Sequence, residues 1–178
     1  DFSVFASRHS EIVSTFKLLE ELTQQAPISP MGFSQSVHNT SAGLFTLIEK
    51  IQQASTTIAA QQDTFAAGLI EAASYLHSNP THRVLFVCFD STLVKPYQGF
   101  IEQDSLDYCM AFLLTNTPAS ANIPTPLTLT ISPSNQADLP PQLARYPQAC
   151  HFLHWWLGLT KAPSLALSCG GQWLHVAR

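Results

Sequence analysis

The sequence predicts an α/β domain, layered α/β/α around a mixed sheet, and three observations carry that prediction. Short, continuously apolar or β-branched runs alternate with stretches of helical spacing through the first half. The stretch from Thr56 to Asp90 reads as one unbroken strand–turn–helix–strand unit. The chain closes on two short apolar runs separated by Gly170-Gly171, which reads as an antiparallel hairpin.

Taken in order, Phe2, Val4 and Phe5 mark a short strand within Asp1 to Ala6. From Glu11, the residues Ile12, Val13, Phe16, Leu18, Leu19 and Leu22 predict an amphipathic helix that ends before Pro27. Ser29-Pro30-Met31-Gly32 reads as a turn. Ser34 is then the expected N-cap of a second helix carrying Val37, Leu44, Phe45, Leu47, Ile48 and Ile51. Gly43 inside that helix costs stability unless a neighbour packs closely against it.

The central unit follows. Thr56-Thr57-Ile58-Ala59-Ala60 predicts a buried strand, Gln61-Gln62-Asp63 its turn, and Phe65, Leu69, Ile70, Ala73 and Leu76 a helix. Small residues (Ala59, Ala60, Ala66, Ala67, Gly68, Ala72, Ala73) would let this helix lie close to neighbours on several sides. Val84 to Phe89 is a second apolar strand. Asp90 at its C-terminal end stands where α/β proteins place functional residues, and is expected to cap the loop that follows.

Lys95 to Gly99 reads as a loop and Tyr108 to Leu114 as another buried strand. A proline-rich span, Pro118 to Pro126, leads into Leu127-Thr128-Leu129-Thr130-Ile131, an alternating strand with Thr outward. Pro140-Pro141 breaks the chain again. Tyr146 to Leu157 predicts an aromatic helix, and Leu165 to Leu167 and Trp173 to Val176 the closing strands.

The 178 residues fit one domain, enough to bury roughly 70% of the surface of the unfolded chain. Because the first residue is Asp1 rather than Met, the natural start is expected to lie upstream. Charged residues make up 11%, against about 25% in ordinary domains. So few charges point to a surface partly covered by another chain, since interface cores are depleted in charge, the alternative being a monomer with a Ser/Thr/Gln/Asn-rich surface. A net charge of −4 without Lys/Arg clusters argues against nucleic acid or an anionic membrane as partner. No apolar run approaches the ~18 residues of a membrane span. Cys88, Cys109, Cys150 and Cys169 sit apart in apolar runs, as buried thiols do in a reducing, cytoplasmic compartment.

A strand that feeds a helix through a tight turn is a common mount for chemistry, yet this turn holds two amides and one acid. A primary amide has no lone pair of useful basicity at neutral pH, but it can satisfy a turn by hydrogen bonding. Elsewhere, Cys150-His151-Phe152-Leu153-His154 lacks a second ligand cluster, so no metal is expected. His38 and Cys169 are the remaining candidates for chemistry, each more simply read as a structural residue. Arg8-His9 could position a neighbouring loop. Trp155, Trp156 and Trp173 read as core or interface anchors.

Several segments carry a resemblance. They are Phe5-Ala6-Ser7-Arg8-His9, Leu18-Leu19, the run from Ser29 through Ser36-Val37-His38-Asn39 to Gly43, and Asp63-Thr64-Phe65-Ala66-Ala67-Gly68-Leu69. Together they resemble the N-terminal half of β-ketoacyl synthases, and more narrowly the short ketosynthase-like proteins of aryl-polyene biosynthesis. The resemblance implies a thiolase-like half-fold, with residues 1–178 as a single ketosynthase-like N-terminal-half domain. In that family the nucleophilic Cys occupies the turn before the buried helix, where the helix N-terminus lowers its pKa. Matching Gly68-Leu69 to the family's helix places Gln62 at that position, or Gln61 or Asp63 if the turn differs by one.

The resemblance further implies a chain-length-factor-like, non-catalytic subunit that pairs with an active β-ketoacyl synthase and shapes its acyl tunnel, in fatty acid or polyketide biosynthesis. Gln61, Gln62, Asp63, Thr64, Phe65, His38 and Asn39 become the tunnel or interface candidates. Acyl carrier protein is then an indirect partner, and no cofactor is required. The rival expectations are a condensing or acyl-transfer enzyme with a non-standard nucleophile, His38 or Cys169, and a homodimeric binding module of the same fold.

Overall fold

A computed structural model describes residues 1–101, 103–116, 126–133 and 144–178. Strand β1 (Phe2–Ala6) lies between the parallel strands β2 (Ser55–Ile58) and β3 (Arg83–Asp90), and β4 (Tyr108–Thr115) adds antiparallel to β3. The order β2-β1-β3-β4 makes the sheet mixed, as expected. Behind it stands a second, antiparallel sheet in which β7 (Gln172–Ala177) runs between β5 (Thr128–Ser132) and β6 (Ser164–Cys169).

Helix α4 (Thr64–Ser78) fills the space between the sheets, packing on β1 and β3 on one side and on β6 and α6 (Gln148–Trp156) on the other. The core is what that arrangement buries: Val4, Ala6, Val84, Phe86 and Cys88 from the mixed sheet, Phe65, Leu69 and Leu76 from α4, Phe152 and Trp155 from α6, and Leu165, Leu167, Leu174 and Val176 from the hairpin. Helices α1 (Ile12–Thr23), α2 (Pro30–Ser34) and α3 (Thr40–Ile48) follow β1 in sequence, and α3 packs on β2. The Phe5 and Phe45 rings meet 5.6 Å apart on this outer face.

Several local readings are corrected. The Ser29 to Gly32 turn is the start of α2: the Ser29 hydroxyl accepts from the Gly32 N–H, and Pro30 opens the helix where its missing N–H costs nothing. Ser34 ends α2 instead of capping the next helix, which begins at Thr40 after Asn39. Gly43 is exposed, and no described residue lies close to where a Cβ would stand, so none of them offsets its cost. Lys95–Gln98 forms a single helical turn, α5, with Pro96 in its first turn.

Among the described residues, strands β2 and β4, read as buried, are the two edges of the mixed sheet. In β2 no residue is buried, and β4 alternates half-buried with exposed residues, leaving Cys109, Ala111 and Leu113 outward. The aliphatic and β-branched signal is the same for an edge as for a centre, because it reports fit to a pleated surface rather than coverage. The closing hairpin stands as read: Gly170 and Gly171 adopt φ of 57° and 81°, the left-handed pair a two-residue turn requires. The proline-rich span lies outside the described residues except at Pro126, and Pro140-Pro141 lies wholly outside. Among the described residues no helix is long and apolar enough to cross a membrane.

Candidate functional site

The three parallel strands release their chains at one end of the sheet, and the polar residues gather there. Beyond β1, the Ser7 N–H donates to the Ile58 carbonyl at 3.1 Å, tying the end of β1 to the end of β2. After β2 the chain makes one 3₁₀ turn, Gln61–Asp63, and enters α4. Gln61 holds a φ of 51°, a left-handed conformation that costs a non-glycine residue about 1 kcal/mol. Thr64 locks the turn, its hydroxyl accepting from the Ala60 N–H at 2.9 Å and donating to the Gln61 carbonyl at 2.6 Å.

The tip of this turn faces outward: Gln61 and Gln62 are exposed and Asp63 half-buried, while Thr64 and Phe65 are buried. Phe65 packs its ring 5.4 Å from Phe86 and 5.0 Å from Phe152. The Asp63 carboxylate accepts from the Gly170 N–H at 2.9 Å and from the Ser168 hydroxyl. Ser168 in turn meets Gln148, whose amide N–H donates to the Ser168 carbonyl at 2.8 Å and to its hydroxyl oxygen at 3.1 Å. The Gln148 carbonyl oxygen accepts from the Ala66 N–H at 3.1 Å. Ala66 is the third residue of α4, so Gln148 supplies from α6 the acceptor that an N-cap side chain would otherwise provide, and Asp63 does not.

A second polar cluster is built on Asp90. Its carboxylate accepts from the Ser7 hydroxyl (3.0 Å), the Arg8 N–H (2.8 Å), Arg8 Nε (2.6 Å), the His9 N–H (3.1 Å) and the Tyr108 hydroxyl (2.8 Å). Asp90 thus reaches back to hold the loop between β1 and α1, instead of capping the loop after its own strand. The Arg8 guanidinium also donates to the Gln103 carbonyl oxygen at 3.0 Å. Burial lowers the His9 pKa, a shift that the Asp90 charge opposes and that of Arg8 assists, so the ring is neutral at pH 7.

His38 and Asn39 lie exposed between α2 and α3, where the His38 carbonyl accepts from the Ser10 hydroxyl at 2.8 Å. Among the described residues no three His, Cys, Asp or Glu side chains converge as metal ligands. The thiols are poor nucleophiles where they are buried. Desolvation pushes Cys88 up to about 12 and raises Cys150, while burial and the Asp63 charge raise Cys169. Alkylation with iodoacetamide at pH 8, followed by peptide mass spectrometry, is expected to modify exposed Cys109 first and to leave Cys88 unmodified until unfolding. Labelling of Cys88 in the native chain would contradict the core packing.

The architecture and the turn can now be set beside known proteins. Residues 1–173 match the family profile described as beta-ketoacyl synthase, N-terminal domain. The chain belongs to this family. It is also similar, at 30% identity and a TM-score of 0.80, to a chain in the structure of the ketosynthase ApeO in complex with its chain length factor ApeC from Xenorhabdus doucetiae; the match covers 100% of this chain and 69% of that one. No curated protein sequence matches significantly. The ketosynthase-like chain has the thiolase-like half-fold expected of it.

Within the family frame, the sequence located the turn but missed what holds it. Gln148 and Ser168 carried no motif. The one available signal was a polar Gln beside Pro147 at the head of an otherwise apolar, aromatic helix.

Proposed function

We propose that this chain is a non-catalytic, chain-length-factor-like subunit that pairs in the cytoplasm with an active β-ketoacyl synthase, in aryl-polyene or related fatty acid and polyketide biosynthesis. One observation carries the reading: the turn ahead of α4 offers Gln61, Gln62 and Asp63, and no thiol, while Asp63 is already spent on Ser168 and Gly170. Thioester chemistry demands a nucleophile that neither an amide nor an engaged carboxylate supplies.

Further support comes from the surface. The outer edge of β2 has no neighbouring strand among the described residues, and an open edge invites pairing with another chain. Beside it in sequence, α1 to α3 expose Leu22, Met31, Phe33, Leu47 and Ile48, more than a solitary domain ordinarily leaves to water. The four cysteines are free thiols, which fits a reducing compartment.

Incubation of the purified chain alone with acyl- and malonyl-carrier protein is expected to give no turnover and no acylated chain by intact mass. Co-expression with its ketosynthase is expected to yield a complex. In that complex Gln62→Ala should leave assembly intact and alter product length. An acyl adduct on this chain would sink the non-catalytic reading.

A further inference from the structure

We propose that Gly170, Asp63, Ser168 and Gln148 form a positioning relay that fixes the direction in which Gln61 and Gln62 leave the turn, and hence the surface they offer to an acyl chain in the partner's tunnel. The second half of this statement rests on the chain-length-factor reading above.

The links converge on the Asp63 carboxylate from two sides. The Gln148 N–H donates to the Ser168 hydroxyl oxygen, and that hydroxyl passes its own proton toward Asp63, whose other oxygen takes the Gly170 N–H. At the far end Gln148 closes on the Ala66 N–H, inside the helix that the turn begins. Three elements distant in sequence (the turn, the head of α6 and the closing hairpin) are thereby pinned to one another around the start of α4. Gln148 is only 5% exposed, and its amide accepts at one end and donates at the other. An apolar side chain there would fill the space and leave the Ala66 N–H and the Ser168 carbonyl without these partners, at a cost for each.

The turn itself needs such support. A left-handed non-glycine residue persists only where its surroundings over-determine it. Thr64 and the Asp63 N–H to Ala60 carbonyl bond fix the turn internally, but they do not fix its orientation against the body. The relay does. It also explains why a half-buried acid stands beside two exposed amides: its carboxylate is directed inward as an anchor, while Gln61 and Gln62 remain outside.

The test uses the full chain and needs no partner for its first arm. Ser168→Ala is expected to speed hydrogen exchange of the Asp63 amide about tenfold, the loss of roughly one hydrogen bond to a charged group, while the Phe86 amide in the core is unchanged. Ser168→Thr keeps the hydroxyl and should restore protection. Gln148→Glu keeps the acceptor for Ala66 but loses the donor, and should resemble Ser168→Ala. Equal acceleration at Asp63 and Phe86, or none at either, overturns the relay whatever the chain's function.

In the second arm, the complex with the ketosynthase is assayed for product length, with Ser168→Ala expected to broaden the distribution and Ser168→Thr to preserve it. If Gln62→Ala shifts the products and Ser168→Ala does not, the relay does not steer the acyl chain. If Gln62→Ala shifts nothing either, the chain-length-factor reading has failed and takes the acyl-facing half of the proposal with it.

Discussion

Replacing Asp90 by Ala is expected to cost about 3 to 5 kcal/mol, the penalty for breaking a buried ion pair by deleting one partner. The Arg8 and Asp90 side chains are 6% and 0% exposed, and the two meet at 2.6 Å. Without the carboxylate, the guanidinium keeps, among the described residues, only its bond to Gln103 and stays buried without this counter-charge. The Ser7 hydroxyl, two loop N–H groups and the Tyr108 hydroxyl lose their acceptor at the same time. Against a typical total stability of about 5 to 15 kcal/mol, that is enough to leave the chain marginal.

Denaturant unfolding of Asp90→Ala, read by tryptophan fluorescence, measures the loss. A change below about 1 kcal/mol would mean that water enters the cluster freely and that the pair is not a buried one. Arg8→Met in the same background removes the stranded charge and should recover part of the loss. The functional corollary concerns the loop from Ser7 to Ser10: with Asp90 gone, the carboxylate that holds it against the end of β3, next to the turn that carries Gln61 and Gln62, is lost.

Asp90 also illustrates how far a sequence can be read. Its place at the end of an apolar strand was legible, since Val84 to Phe89 could be little else. Its partners were not, because Ser7, Arg8 and His9 lie more than eighty residues earlier, and parallel pairing of β1 with β3 is what brings them alongside. The turn at Gln61 to Asp63 was legible for the opposite reason: a strand signal and a helix signal abut there, leaving three residues to make the connection. Gln148 and Ser168 act on that turn from about eighty to a hundred residues away. A single Gln or Ser has no periodicity to betray it.

The misread edges, Thr56 to Ile58 and Tyr108 to Leu114, failed through the same lack of range. Whether a strand is covered depends on what packs beside it, and that is not local information. The second sheet was likewise readable only as its parts, a hairpin and one alternating strand. Its stacking behind α4 follows from burying Leu165, Leu167, Leu174 and Val176 against Phe152 and Trp155, contacts that only the assembled fold makes.

Gly68→Val is expected to destabilise the chain by about 3 kcal/mol or more, because it overpacks the place where α4 lies closest to the mixed sheet. A Cβ added at Gly68 would stand 2.8 Å from the Phe86 ring and 2.9 Å from the Ala6 Cβ, inside the distances that carbon atoms tolerate. Neither neighbour can yield cheaply. Ala6 belongs to β1, held by strands on both sides, and the Phe86 ring is fully buried, with the Phe65 ring 5.4 Å away. Gly68→Ala separates the terms: gaining helix propensity of up to about 1 kcal/mol, it should lose less than Val but still be destabilised. If Gly68→Ala instead stabilises the chain in thermal unfolding, the packing of α4 on β1 and β3 is looser than these distances require. The consequence reaches the site, since lifting α4 off the sheet would move its first turn away from Gln148 and release the tip that Gln61 and Gln62 form.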